Sequence, residues 1–426
     1  MTGVAAVRRR FVLLTALGWL PTGLLIPLTV VLMQSRGLSL ADVGLVSATQ
    51  SIVVLALELP TGGVADALGR RPVLVVAGLL DLVSLALLAA AHAPAVFLAA
   101  WAVKGVYRAL ESGPLDAWFV DASHAHEPAA DIERGLARAG IATGAAIAAG
   151  CLLTAVLATW PPLGGVDPLV VPLLLAIVLR VVDVVALATL MDEPRRHDGG
   201  LAPVAGALAE APRVVAETVG LVRRSRVLAA LVAVELSWGF GLTAVELFSA
   251  PRLVDLVGDA TSGVATYAVA ASAGWAVSAL GSALTDRSTR LAGSPARLGA
   301  WLRIVQGATA AVVAVVGGPG ALVAGYLGFY LAHGPANVVH FGLLHRATGP
   351  QHRTTVLSAN SLVGRLGGVA AALGLGVVAD GSGPGAALAI GAVVLSAAFP
   401  LYGVAGRSLA RDDDAELDVE SAPALV

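Results

Sequence analysis

The sequence predicts an all-α integral membrane protein with twelve transmembrane helices in two six-helix halves. Three observations lead there. The 426-residue chain is 57% hydrophobic and only 13% charged, roughly half the charge share of a soluble domain. Mean hydropathy is +0.84, so the apolar excess is too large for a soluble fold to hide. The apolar residues also fall into runs of about 20, the length that crosses a bilayer core as a helix.

Twelve runs lie at 11–33, 41–62, 73–91, 95–119, 138–160, 168–191, 227–250, 261–284, 299–317, 319–343, 355–380 and 384–406. The first follows Arg8, Arg9 and Arg10, and is too long for the apolar core of a signal peptide. A retained first span is therefore expected, with the N-terminus held in the cytoplasm. Arginines then recur in every second connection: Arg70 and Arg71; Arg134 and Arg138; Arg195, Arg196, Arg223, Arg224 and Arg226; Arg287, Arg290 and Arg297; Arg346 and Arg353; and Arg407 and Arg411 in the tail. The opposite connections hold only Arg36 and Arg252. This positive-inside asymmetry expects both termini on the cytoplasmic side of the cell membrane.

The longest internal connection, 192–226, divides the chain. The expected organisation is an N-terminal bundle at 1–191, a cytoplasmic linker at 192–226, a C-terminal bundle at 227–406 and a cytoplasmic tail at 407–426. Within the linker, apolar residues at 201, 204, 208, 215, 219 and 222 alternate with Glu210, Arg213 and Glu217. That stripe predicts an amphipathic helix joining the halves. Cys151 is the single cysteine and sits in an apolar run. It is expected to be a small buried hydrophobe, with no disulfide framework and no metal cluster. A net charge of −2 with no basic domain argues against nucleic acid.

Ionisable residues inside spans are costly and mark function or a buried pair. Span 4 carries Lys104, Arg108 and Glu111 at i, i+4, i+7, one helical face on which Arg108 and Glu111 can pair and Lys104 is left as a spare cation. Span 7 places Glu235 and Glu246 three turns apart, with Trp238 beside them. Span 10 repeats the i, i+4, i+7 pattern with His333, Asn337 and His340. Span 1 has the milder stripe Thr15, Trp19 and Thr22. Arg180 and Asp183 in span 6 are expected to pair, and Asp81 in span 3 has no partner that the sequence can name. Each stripe has a plain structural reading too, as a polar contact that only holds the bundle.

Between spans 2 and 3 the chain reads Gly62-Gly63-Val64-Ala65-Asp66-Ala67-Leu68-Gly69-Arg70-Arg71. Gly62, Gly63 and Gly69 suit a tight turn, and Asp66 could rest against a helix N-terminus. This loop resembles the Gly-x-x-x-Asp-x-x-Gly-Arg-Arg/Lys pattern of the major facilitator superfamily, at the position where that family carries it. Glu58 to Gly62, and Ser112-Gly113 through Trp118 to Asp121, are similar to a bacterial efflux-permease branch. The resemblance implies the superfamily fold and transport of a small-molecule substrate by alternating access. It implies that helices 1, 4, 7 and 10, which carry the four stripes, line a central cavity. It also implies a cytoplasmic latch in which Asp66 faces the start of span 11, Arg70 or Arg71 reaches Asp121, and Glu58 belongs to the same network. A second copy, Ser282 to Asp286 with Arg287, lacks the Gly-Arg-Arg end.

No Walker loop occurs, so a gradient must supply any work. No cofactor is expected, and no H-E-x-x-H or convergent catalytic set points to an enzyme. Glu111, Glu235 and Glu246 are proton-carrier candidates, since apolar surroundings raise a carboxyl pKa; His333 and His340 could titrate near neutrality. Span 1 has no acid, unlike several proton-coupled drug antiporters of the family, which moves proton carriage to span 4 or 7. The expected function is proton-coupled export of drug-like or hydrophobic compounds by a monomer in the lipid bilayer. The alternative, import or exchange of a polar or anionic metabolite, rests on Lys104 and Arg108. Asp66→Asn should impair cycling while leaving insertion intact; normal solute flux at normal expression would contradict the latch.

Overall fold

The structure, a computed structural model, describes residues 3–161, 165–193, 213, 219–349 and 351–407; the side chains of 59–63, 66 and 354 lie outside that description. Among the described residues every regular element is a helix. They are α1 Val4–Leu25, α2 Thr29–Ser35, α3 Leu40–Leu68, α4 Arg70–Ala90, α5 Pro94–Glu111, α6 Pro114–His126, α7 Ile132–Ala158, α8 Val171–Leu190, α9 Arg226–Val257, α10 Ala260–Ala283, α11 Thr285–Ala292, α12 Pro295–Val315, α13 Pro319–Arg346, α14 Arg353–Ser382 and α15 Pro384–Ala397. Among the described residues ten helical stretches are long and apolar enough to cross a membrane. The predicted spans 4 and 10 fall short on composition. Span 4 carries three ionised residues and breaks at Gly113, whose φ of 97° ends α5 and lets Pro114 start α6. Span 10 is one 28-residue helix, diluted by glycine, proline, histidine and asparagine.

The stretch expected to be a glycine-rich loop between spans 2 and 3 is almost all helix. α3 runs through Gly62 and Gly63 to Leu68, and α4 begins at Arg70. Gly69 alone makes the turn, with φ 91°. The N-terminus of α3 carries a reciprocal capping box, Ser39 with Asp42. Much of the expected amphipathic linker, 194–212 and 214–218, lies outside the described residues, as does 408–426 of the tail.

The helices form two compact units. Unit 1 comprises Met1–Ala211, Leu247–Ala276 and Ala372–Pro384; unit 2 comprises Pro212–Glu246, Val277–Ala371 and Gly385–Val426. In unit 1, Phe11 stacks on Phe119 at 4.3 Å between ring centroids, in a core with Leu14, Leu74, Trp118 and Met191. α1 and α7 cross on small residues: a Cβ on Gly150 would lie 2.7 Å from the backbone of Gly23. That crossing brings Thr154 Oγ1 to donate to the Leu24 carbonyl at 2.7 Å and Cys151 Sγ to the Gly23 carbonyl at 3.3 Å. Cys151 is thus the buried small residue that was expected. Arg36, one of the two arginines on the arginine-poor face, donates to the Leu88 and Ala91 carbonyls at 2.5 and 2.9 Å, capping the end of α4. In unit 2 the core gathers Leu228, Leu231, Val234, Val339, Leu343 and Tyr402 among others.

Gly150→Val should destabilise the solubilised protein by about 1–3 kcal/mol, because the new side chain meets backbone rather than a yielding side chain. Gly144→Ala, where an added Cβ meets nothing within 4 Å, should hold or raise the melting temperature. A thermal unfolding series in detergent checks both.

Candidate functional site

Unit 1 builds a buried charge cluster from four helices. Asp81 on α4 is fully buried. Its Oδ1 lies 2.5 Å from Lys104 Nζ on α5, and its Oδ2 lies 2.7 Å from Arg180 Nε on α8. Arg180 continues to Asp183 Oδ2 at 2.6 Å. It also donates at 3.1 Å to the Tyr107 hydroxyl and to the Gly18 carbonyl of α1. The Arg180 guanidinium and Lys104 Nζ both lie 5.0 Å from the Tyr107 ring centre. Arg108 pairs with Glu111 at 2.8 Å and lies 5.0 Å from the Trp19 ring centre. Three cations therefore face three carboxylates.

One sequence expectation changes here: Lys104 is not a spare cation, because Asp81 holds it. The partners that the sequence could not name for Asp81 are Lys104 and Arg180 on neighbouring helices. A cavity of about 40 Å³ opens beside Gly18, Tyr107, Glu111, Arg180 and Asp183. It has room for about one water, and Asp183 Oδ1 has no hydrogen-bond partner among the described residues. A larger open groove of about 480 Å³, between Val156, Trp160, Ala265 and Val269, has no ionisable lining.

Unit 2 holds a second buried network. Glu235 on α9 is 7% exposed, and its Oε2 lies 3.2 Å from His340 Nε2 on α13. The same nitrogen is 3.2 Å from Asn360 Oδ1 on α14. His340 Nδ1 lies 3.3 Å from the Tyr402 hydroxyl. That hydroxyl accepts from Arg303 of α12 at 3.4 Å, and Arg303 also donates to Gln306 Oε1 at 2.7 Å. Arg303 can only donate, so the Tyr402 hydroxyl accepts from it. Glu235 and Asn360 both present acceptor oxygens to Nε2, which donates toward them. A Cβ on Gly364 would lie 2.8 Å from Glu235 Oε1, so that glycine makes room for the carboxylate.

The span-10 stripe divides. His333 joins Asn337 at 3.1 Å and stacks with Trp238 at 5.5 Å, whereas His340 belongs to the Glu235 network. Glu235 and Glu246 likewise separate: Glu235 is buried and paired, while Glu246 is exposed and has no partner among the described residues. Sequence reading passed over Arg303, Gln306, Asn360 and Tyr402. The cost of a charge inside an apolar run could have flagged Arg303; the other three carry no sequence signal.

Near the arginine-rich connection, Arg70 reaches Asp121 at 2.7 Å, and Arg71 donates to the Ala188 carbonyl. Glu193, unremarked in the sequence, accepts from the Arg70 and Arg71 backbone amides at 2.9 Å each and so caps α4. Glu58 is half-buried on α3. The Asp66 side chain lies outside the described residues, so its expected place opposite span 11 does too.

Long apolar helices carrying internally matched charge define a multi-pass membrane protein. Residues 11–372 match the sequence profile of the Major Facilitator Superfamily, and the chain belongs to that family. No curated protein is similar to it in sequence. Its fold is similar to that of the nucleoside transporter NupG, with a TM-score of 0.76 at 14% identity over 93% of this chain and 99% of that one. It is similar to a bacterial homologue of the human lysosomal transporter Spinster, with a TM-score of 0.75 at 14% identity over 96% and 98%. A bacterial homologue of the human drug peptide transporters PepT1 and PepT2 gives 0.70 at 15% identity over 96% and 100%. At these identities the likeness is one of fold.

Asp81→Asn leaves Lys104 and Arg180 short of a buried counter-charge and should cost about 3–5 kcal/mol. Adding Lys104→Gln restores the balance and should recover part of that loss. Melting temperatures of the two single variants and the double variant, compared in one cycle, measure the recovery.

Proposed function

We propose that the protein is a proton-coupled exporter of small, drug-like compounds, with a preference for cations, working as a monomer in the cell membrane with both termini cytoplasmic. The observation that carries this reading is Glu246. It is exposed on a membrane helix without a counter-ion among the described residues, whereas Lys104, Arg108 and Arg180 each hold a carboxylate. Arg303 is 1% exposed and donates to Gln306 and Tyr402. A solute meeting these spans therefore meets an available anion. A bare carboxylate against lipid is costly, which favours a wet or solute-facing position for Glu246.

The Glu235–His340 contact supplies the coupling element. It places a carboxylate and an imidazole 3.2 Å apart, both buried. The arginine-rich connections support the orientation.

One observation favours the second reading, import or exchange of an anionic metabolite. The Arg108 side chain is 32% exposed over Trp19, so an anion that displaced Glu111 would find a cation there.

A susceptibility panel in an efflux-deficient bacterium tests the proposal. Resistance to lipophilic cations is expected, lost by roughly tenfold or more in Glu246→Gln. Glu235→Gln should weaken the pH dependence of transport more than Asp183→Asn does. Absence of resistance with the protein in the membrane, together with Arg108-dependent uptake of organic anions, would replace this reading with the second.

A further inference from the structure

At the end of α3 opposite Arg70 and Arg71, four amides, those of Ser39 to Asp42, open the helix without intrahelical partners. The capping box serves two of them: Ser39 Oγ accepts from the Asp42 amide at 3.1 Å, while Asp42 accepts from the Ser39 amide at 3.1 Å. The Leu40 and Ala41 amides remain, and a residue some 340 positions away takes both. Asp380, near the C-terminus of α14, accepts from Leu40 N at 2.6 Å through Oδ1 and from Ala41 N at 3.1 Å through Oδ2. Both residues belong to unit 1.

The helices are shaped to meet there. A Cβ on Gly376 would lie 2.8 Å from the Leu40 carbonyl oxygen and 3.0 Å from Ala41 Cα. Gly44 comes against the Ala372 carbonyl in the same way. Residue 44 faces 372 and residue 40 faces 376, so the helices run antiparallel with backbones in contact. Small residues at a crossing permit such approach and leave no interlocked side chains to extract. Asp380 is exposed. On separation, water could take its carboxylate and the two amides, so breaking the contact strands no buried polar group.

We propose that Asp380 is a gating residue: its carboxylate latches α14 onto the N-terminus of α3 on the face opposite the arginine-rich connections, and this latch opens and closes in each transport cycle. The helix dipole and two charge-assisted hydrogen bonds hold the closed state. The smooth glycine contact and the exposed position make it reversible. Family membership is the only premise, so the proposal stands apart from the substrate and the coupling ion.

The test needs no substrate. Nitroxide labels at Gly381→Cys and His92→Cys, both exposed, report the separation of α14 from the α4–α5 turn, to which Arg36 ties the chain entering α3, in a Cys151→Ala background. Pulsed electron–electron resonance in lipid nanodiscs reads the distances. The unmodified latch should give one dominant distance. Asp380→Ala should shift the population ratio by roughly tenfold toward a longer distance, with Asp380→Asn in between. Asp42→Ala is the control, since it frays the same helix end without removing Asp380. A wild-type distribution in Asp380→Ala overturns the proposal, and so does an equal shift in Asp42→Ala. If Asp380→Ala does not fold, Asp380→Asn carries the same comparison.

Discussion

Arg180 shows the constraint on which the rest of this molecule depends. A guanidinium in a hydrocarbon-facing bundle is stable only if the protein replaces water on every side of it. Here Asp81 and Asp183 supply the charge, Tyr107 and the Gly18 carbonyl accept two more hydrogens, and the Tyr107 ring covers one face. The demand propagates. Asp81 must be shared with Lys104, which fixes α4 against both α5 and α8. The cluster thus sets which helices can be neighbours in unit 1. Its worth lies in specificity of arrangement more than in raw stability, because desolvating the charges consumes much of the attraction.

The second unit meets the same demand differently. Among the described residues Arg303 has no carboxylate in contact; a chain runs from it through Tyr402 and His340 to Glu235. A chain of that kind is polarised as a whole, so the protonation state of one member changes every bond in it.

Backbone polar groups follow an equally strict account. Glu193 closes the amides that open α4, Asp380 closes those of α3, and Arg36 closes the carbonyls that end α4. Each partner comes from a different element, so each helix end is also a tertiary contact. Glycine performs the complementary task where backbones must touch, as at Gly150 against Gly23 and at Gly376 against Leu40.

The sequence by itself determined the membrane class, the helix count within the limits of spans 4 and 10, and the family, through the Gly62 to Arg71 pattern. These depend on composition and local order, and the bilayer enforces them without reference to partners. It also grouped residues by helical face, but a shared face is not a shared site. Residues seven apart lie about 10 Å apart along a helix axis, and residues eleven apart about 16 Å. His333 and His340 therefore serve different neighbours, as do Glu235 and Glu246. Only the tertiary structure decided that Lys104 is paired, that Asp81 is shared, and that Asn360 and Tyr402 join the Glu235–His340 network. Those outcomes depend on which helices pack together, and one chain's local pattern carries no term for that.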